Sequence, residues 1–199
     1  ERIGLVKACL GYDRNFIIDT INNKTGTGGI MSTIYGLMLA ASNDYVSPDR
    51  ITEIADSLVS LQMADGGWNL SGAYSDADVT AMALQALSAV RSYGYEDNIQ
   101  KGVGRLASLQ KDDAGYASYG VNNSESTAQV LMALCALNID YRTDTRFIKN
   151  GHTVLDALMG YRTSEGAFSH TKDGKSNALA TTQALGALVC ADNYEKHGT

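Results

Sequence analysis

Two aspartates one residue apart, Asp76 and Asp78, open the run Asp-Ala-Asp-Val-Thr-Ala at 76–81, where an alanine- and leucine-rich stretch begins. A carboxylate at a helix start accepts hydrogen bonds from free backbone N–H groups and suits the positive end of the helix dipole. Capping is therefore the simplest chemistry for either residue. Five aromatics, Trp68, Tyr74, Tyr116, Tyr119 and Phe168, gather at turns that lead into such stretches. Their rings either plug gaps between successive helical pairs or form a rim that faces a ligand. Gln129 and Gln183 supply an equivalent polar pair within the helices, either as ligand contacts or as part of a packed face. These seven residues are the candidate ligand contacts.

Other chemistries lack their residues. The three histidines (His152, His170, His197) are isolated, His197 lies in what reads as a frayed tail, and no Cys-x-x-Cys pair occurs, so no zinc site is expected. Cys9, Cys135 and Cys190 are far apart, and they read as small buried hydrophobes. Gly26-Thr-Gly-Gly29 is not followed by the lysine of a phosphate-binding loop. Asp112-Asp113 lacks the spaced oxygen ligands of a calcium loop. The sequons at Asn23, Asn69 and Asn122 lie in asparagine-rich turns where chance explains them. No metal and no cofactor is expected.

The elements that would position the candidates are repeated. Leu61-Gln-Met-Ala-Asp-Gly-Gly-Trp68, Leu109-Gln-Lys-Asp-Asp-Ala-Gly-Tyr116 and Leu158-Met-Gly-Tyr-Arg-Thr-Ser-Glu-Gly-Ala-Phe168 each end a helical pattern, turn on glycine and place an aromatic. The period is roughly 48 residues, a length typical of stacked helical pairs. Aligned copies give one column of Thr33, Thr80, Thr127 and Thr181, and another of Leu37, Leu84, Leu131 and Leu185. Offsets of four share a helical face, so these columns mark the buried stripe. Small-residue inner helices are predicted near 31–41, 78–90, 125–139 and 179–191. More charged outer helices are predicted near 14–22, 49–62, 98–110 and 144–161, with Asp49 and Asp144 as N-terminal caps. Glu125 falls in the Asp78 column, which supports a capping role shared between repeats. The expected fold is all-α: about four tandem hairpins in one domain over 1–199, each relying on its neighbours to bury its apolar face.

Composition agrees with this reading and limits the partners. A single proline and 20 glycines suit long helices joined by glycine turns. A hydrophobic fraction of 44% is that of a folded globular chain. The net charge is −6 and no basic run occurs, so nucleic acid is a poor partner. No apolar stretch approaches the ~20 residues of a membrane span. The chain opens on Glu1 without a secretory signal, as an excised piece or a mature product would.

These segments resemble the prenyltransferase and squalene-oxidase repeat, the building block of α/α toroids. That group includes terpene cyclases, protein prenyltransferase β subunits, complement thioester domains and vitamin B12 carriers. Gln62 with Gly67-Trp68 looks like the glutamine–tryptophan turn of the cyclases, Gln110 with Gly115-Tyr116 is a weaker copy, and the third copy lacks the glutamine. The likeness spans roughly residues 30–191. It implies a toroid-like array, open or incomplete at four hairpins, which a dimer or further domains would complete.

The resemblance also implies chemistries to test. Asp76-Ala-Asp78-Val-Thr80-Ala81 is similar to the Asp-x-Asp-Asp-Thr-Ala element with which class II terpene cyclases protonate an alkene or epoxide. Asp78 falls on the proton donor and Asp76 on a flanking carboxylate, while Val79 replaces the last aspartate. Protonating so weak a base needs a carboxylic acid held protonated among supporting hydrogen bonds. Ala180 stands where prenyltransferases carry a histidine ligand to zinc, and no Gly-Cys-Gly-Glu-Gln thioester run exists. The sequence thus favours a non-catalytic domain of a bacterial surface or secreted protein that binds a small molecule, glycan or protein. The alternative is a terpene cyclase- or prenyltransferase-like enzyme acting on isoprenoids, with Asp78 as general acid.

Overall fold

The computed structural model describes residues 2–9, 11 and 14–198. Among these residues the protein is all-α apart from one two-stranded hairpin. Helices α1 (Arg2–Cys9), α3 (Ile30–Ala41), α5 (Ala77–Ser88), α7 (Ser124–Ala136) and α9 (Ala178–His197) form one row, each packed on the next. Helices α2 (Arg14–Asn23), α4 (Pro48–Ser60), α6 (Glu96–Leu109) and α8 (Val154–Met159) form the other, packed on the first row. The row-forming α3, α5, α7 and α9 are the expected inner helices, and α2, α4 and α6 match expected outer ones. Helix α1 was not foreseen. Cys9 ends it, but its side chain lies outside the described residues.

The repeat is held together by the same hydrogen bonds in three copies. The Thr80 hydroxyl accepts from the Trp68 N–H at 2.9 Å, Thr127 from Tyr116 at 3.1 Å and Thr181 from Phe168 at 2.9 Å. The N-terminal cap residue of each following helix donates its own N–H to the same aromatic's carbonyl: Asp76 to Trp68, Asn123 to Tyr116 and Asn177 to Phe168. The threonine column therefore exists to pin the aromatic turn onto the helix, which leaves few buried backbone groups unpaired there. The Leu37, Leu84 and Leu131 side chains are fully buried beneath it.

Several sequence expectations are corrected. Capping belongs to the Asp76–Asn123–Asn177 column, whose side chains accept from helix N–H groups, and not to the Asp78–Glu125 column two residues later. Ser47, with Pro48 after it, caps α4, so Asp49 sits in the first turn instead. Asp144 caps only a short 3-10 turn, Thr145–Phe147. The outer helix expected over 144–161 shrinks to 154–159. Asn150 and Gly151 take positive φ in a turn closed by the Lys149–His152 bridge, and a Thr153/Asp156 capping box starts the helix afresh. His197 is the exposed last residue of α9, which runs past the expected end at 191. Cys135 is buried and Cys190 half-buried, both as free thiols, and burial pushes Cys135 up to about 12.

Candidate functional site

The seven candidate contacts divide by burial. Trp68, Tyr116 and Phe168 lie in the core, and Trp68 donates its indole N–H to the Leu58 carbonyl at 2.9 Å. The expectation that these three rings touch a ligand is corrected: they fill the space between hairpins. Gln129 and Gln183 belong to a ladder across three helices. Gln85 donates to the Gln129 side-chain oxygen at 2.9 Å, and Gln129 donates to Gln183 at 3.1 Å. This ladder ties α5, α7 and α9 together and does not meet the remaining candidates, Tyr74 and Tyr119.

Those two tyrosines are 80% and 79% exposed and line one cleft of about 430 Å³. Asn69, Asp76 and Lys111 line it too. Each tyrosine is carried on a loop whose backbone is held in place. On the first wall Asn69 Nδ2 donates to the carbonyls of Gly72 and Tyr74, at 3.0 and 2.8 Å, closing the loop that carries Tyr74. On the second, strands β1 (Ala117–Ser118) and β2 (Val121–Asn122) pair antiparallel, leaving Tyr119 and Gly120 as a two-residue turn. Both have positive φ, +47° and +82°, which is the type I′ signature. Glycine enters that region freely, but a tyrosine there costs on the order of 1 kcal/mol. Ser118 Oγ donates to Asp76 Oδ2 at 2.6 Å, so the hairpin is anchored to the residue that caps α5.

Beneath that cap lies a second polar group. Asp76 Oδ1 accepts from the N–H groups of Asp78 and Val79, which leaves the Asp78 carboxyl to turn inward. Burial pushes Asp78 up to about 6, with Asp76 and Glu125 adding to the rise while Ser126 and His170 oppose it. The Ser126 hydroxyl is near enough to lower the pKa, yet neither it nor Asp78 Oδ1 completes a well-formed hydrogen bond. Glu125 is 9% exposed, and its Oε2 lies 2.8 Å from His170 Nδ1. The Ser124 N–H holds the His170 carbonyl at 3.0 Å, fixing the loop that delivers the ring. Among the described residues no group of three or more such side chains has the arrangement of a metal site.

His170, Ser126 and Ser118 were missed from sequence. His170 reaches Glu125 across 45 residues, and no local pattern marks such a pair. Ser118 carried no signal either, because Tyr119-Gly120 between Ala117-Ser118 and Val121-Asn122 is not one of the asparagine-, aspartate- or glycine-led pairs that mark a hairpin turn. No protein-family model and no curated protein sequence matches this chain. Among the described residues no helix is long and apolar enough to cross a membrane.

Proposed function

We propose that the protein is a non-catalytic ligand-binding repeat domain whose ligand seats in the cleft between Tyr74 and Tyr119. One observation carries this reading: Tyr119 is held in a left-handed backbone conformation at the tip of an anchored hairpin, almost fully exposed. Strain kept at an exposed aromatic has no packing reason and is typical of a binding residue. Two exposed tyrosines on anchored loops, with Asn69, Asp76 and Lys111 lining the same cleft, suit a saccharide, whose C–H faces stack on rings while its hydroxyls meet polar groups. Binding in this mode loses little side-chain entropy, since each tyrosine has only two rotatable side-chain bonds. A bacterial cell-surface or secreted setting accords with such a ligand.

The test is a glycan panel followed by calorimetry on wild type, Tyr74→Ala, Tyr119→Ala and the double variant. A saccharide bound by wild type and weakened at least tenfold by each single change supports the reading. Should no glycan bind, and no corrinoid or isoprenoid in a parallel screen, small-molecule binding is excluded and a protein ligand remains.

The buried Asp78 carboxyl favours a second reading, acid catalysis on an isoprenoid alkene, because it is neither exposed nor engaged in capping. Against it, the core aromatics that would steady a carbocation are packed between hairpins. Incubation with squalene or a prenyl diphosphate decides. A cyclised product from wild type, absent with Asp78→Asn, would establish catalysis.

A further inference from the structure

Lys111 stands at a position whose part in the fold needs no charge. The repeat places Met63, Lys111 and Thr163 at the start of three matching turns. Each donates its N–H to a carbonyl four residues ahead, Gly67, Gly115 and Ala167, at 2.9, 3.0 and 2.9 Å. Each carbonyl accepts from the N–H three residues on, Gly66, Ala114 and Gly166, at 2.9, 2.9 and 3.0 Å. A thioether, an ammonium and a hydroxyl side chain thus serve in one backbone geometry. The copy that borders the tyrosine cleft is the one that carries the cation.

That cation is uncommitted. The turn beneath it is fixed, because Gln110 Nε2 donates to the Ala114 carbonyl at 3.0 Å and to the Phe147 carbonyl at 2.9 Å. Among the described residues, however, the Lys111 ammonium has neither an ion pair nor a hydrogen bond. Asp113 is taken by Lys172 at 2.7 Å and by the Gly115 N–H at 3.1 Å, and Asp112 is exposed outside the cleft lining. Asp76 and Lys111 are the two charged residues that line the cleft. Both Asp76 oxygens already serve the fold, Oδ1 accepting from the Asp78 and Val79 N–H groups and Oδ2 from Ser118. Its charge also lies at the positive end of α5, which offsets it. The charge left over in the cleft is therefore positive, in a chain whose net charge is −6.

We infer that the cleft takes an acidic saccharide, whose anionic group pairs with Lys111 while its sugar rings meet Tyr74 and Tyr119. The proposal rests on the saccharide reading of the cleft and narrows it to anionic members. A lysine ammonium is a compact point charge on a flexible stem, so it accepts a carboxylate or a sulfate without the fixed fork geometry of arginine. Its hydrogen bond to either anion is charge-assisted, and a neutral sugar hydroxyl in the same place makes only the weaker kind. Selection in the cleft is thus by charge, with the two rings supplying contact common to acidic and neutral sugars.

Calorimetry with uronic-acid oligosaccharides, sulfated oligosaccharides and the neutral parent of each is the test. At least one acidic member should bind about tenfold more tightly than its neutral parent, and added salt should erase the difference. Lys111→Met is the central variant, because Met63 shows that this turn accepts methionine, and its thermal transition should match that of wild type. It should bind the acidic saccharide no better than the neutral parent, whereas Lys111→Arg should keep the preference. Wild type that binds acidic members no more tightly than neutral ones, or a preference that survives in Lys111→Met, overturns the inference. The tyrosine reading then still stands if Tyr74→Ala and Tyr119→Ala weaken binding of both kinds. If neither kind binds, the saccharide reading itself fails and this inference falls with it.

Discussion

Asp78 sits at the second position of α5, and that single step in register decides what its carboxyl can do. Asp76 already satisfies the free N–H groups, so Asp78 turns into a partly dry space shared with Ser126 and Glu125. Its folded-state pKa of about 6 lies above the ordinary aspartate value of 3.8. The folded protein therefore holds this proton more tightly than the unfolded chain, and stability falls as pH rises through about 4 to 6. The shift corresponds to roughly 2–3 kcal/mol at neutral pH. Asp78→Asn removes the charge, so the variant should be more stable than wild type at pH 7 by about 2 kcal/mol, and the gap should close below about pH 4. Urea titrations at several pH values check this; a gap that does not change with pH refutes the buried-charge account. Thr127 supplies a contrasting case. Thr127→Val keeps the shape but strips the Tyr116 N–H of its acceptor in a buried turn, which should cost roughly 1–3 kcal/mol. Thr182→Val, on the exposed face of α9, should change stability by less than about 0.5 kcal/mol. The threonine column was plain in the sequence because recurrence alone reveals it. Its purpose was hidden, because the partner is a backbone group 11 to 13 residues upstream.

Helices and turns differ in how much of them could be read in advance. The inner helices were visible because their apolar stripes recur at helical offsets, and α4 and α6 because theirs do also. Helix α8 was overread. Apolar residues flank the run Lys149-Asn-Gly-His-Thr153 within 144–161, and the Lys149–His152 turn, with Asn150 and Gly151 at positive φ, breaks the helix in that run. Turn geometry likewise hid the hairpin at 117–122, the element on which the proposed site depends. Replacing Tyr119 with asparagine, which tolerates positive φ, should stabilise the turn by about 0.5–1 kcal/mol. The same change should abolish ligand binding, so melting temperature and affinity are expected to move in opposite directions; a Tyr119→Asn protein that still binds would remove this residue from the site. Gly102→Ala makes the reverse point about helices. Alanine is the better helix former, yet the new methyl would meet Leu84 at 2.9 Å and Trp68 at 3.0 Å. Overpacking should dominate and destabilise the protein by about 1–3 kcal/mol, read from the denaturation midpoint.

Across the whole molecule, each row helix makes its main contacts with its neighbours in the row and with the outer helices packed on it, so the apolar core, though continuous, is built from a series of local interfaces. That arrangement makes protection uneven. Helices α5 and α7 are enclosed on both sides and hold the fully buried threonines Thr80 and Thr127 together with Leu84, Leu87, Leu131 and Leu134. Helix α1 presents Ile3 and Val6 to solvent, 70% and 58% exposed, and α9 presents Leu185 and Val189. Opening of an end helix exposes one interface, whereas opening of α5 or α7 exposes two. Native-state hydrogen exchange should therefore show slowest exchange in α5 and α7, intermediate rates in α9, and fastest in α1 and α2. The Gln85–Gln129–Gln183 ladder ties α9 to α7 and α5, and the α1 sequence carries no glutamine to match it, which is why the two ends should differ. Gln129→Leu cuts the rung to Gln183 while keeping side-chain bulk and leaves Gln85 its bond to the Gln129 backbone carbonyl, so it should bring α9 exchange closer to that of α1 with little change in α5. If all the helices exchange at one rate, set by global unfolding, the protein behaves as a single cooperative unit and the nearest-neighbour description fails.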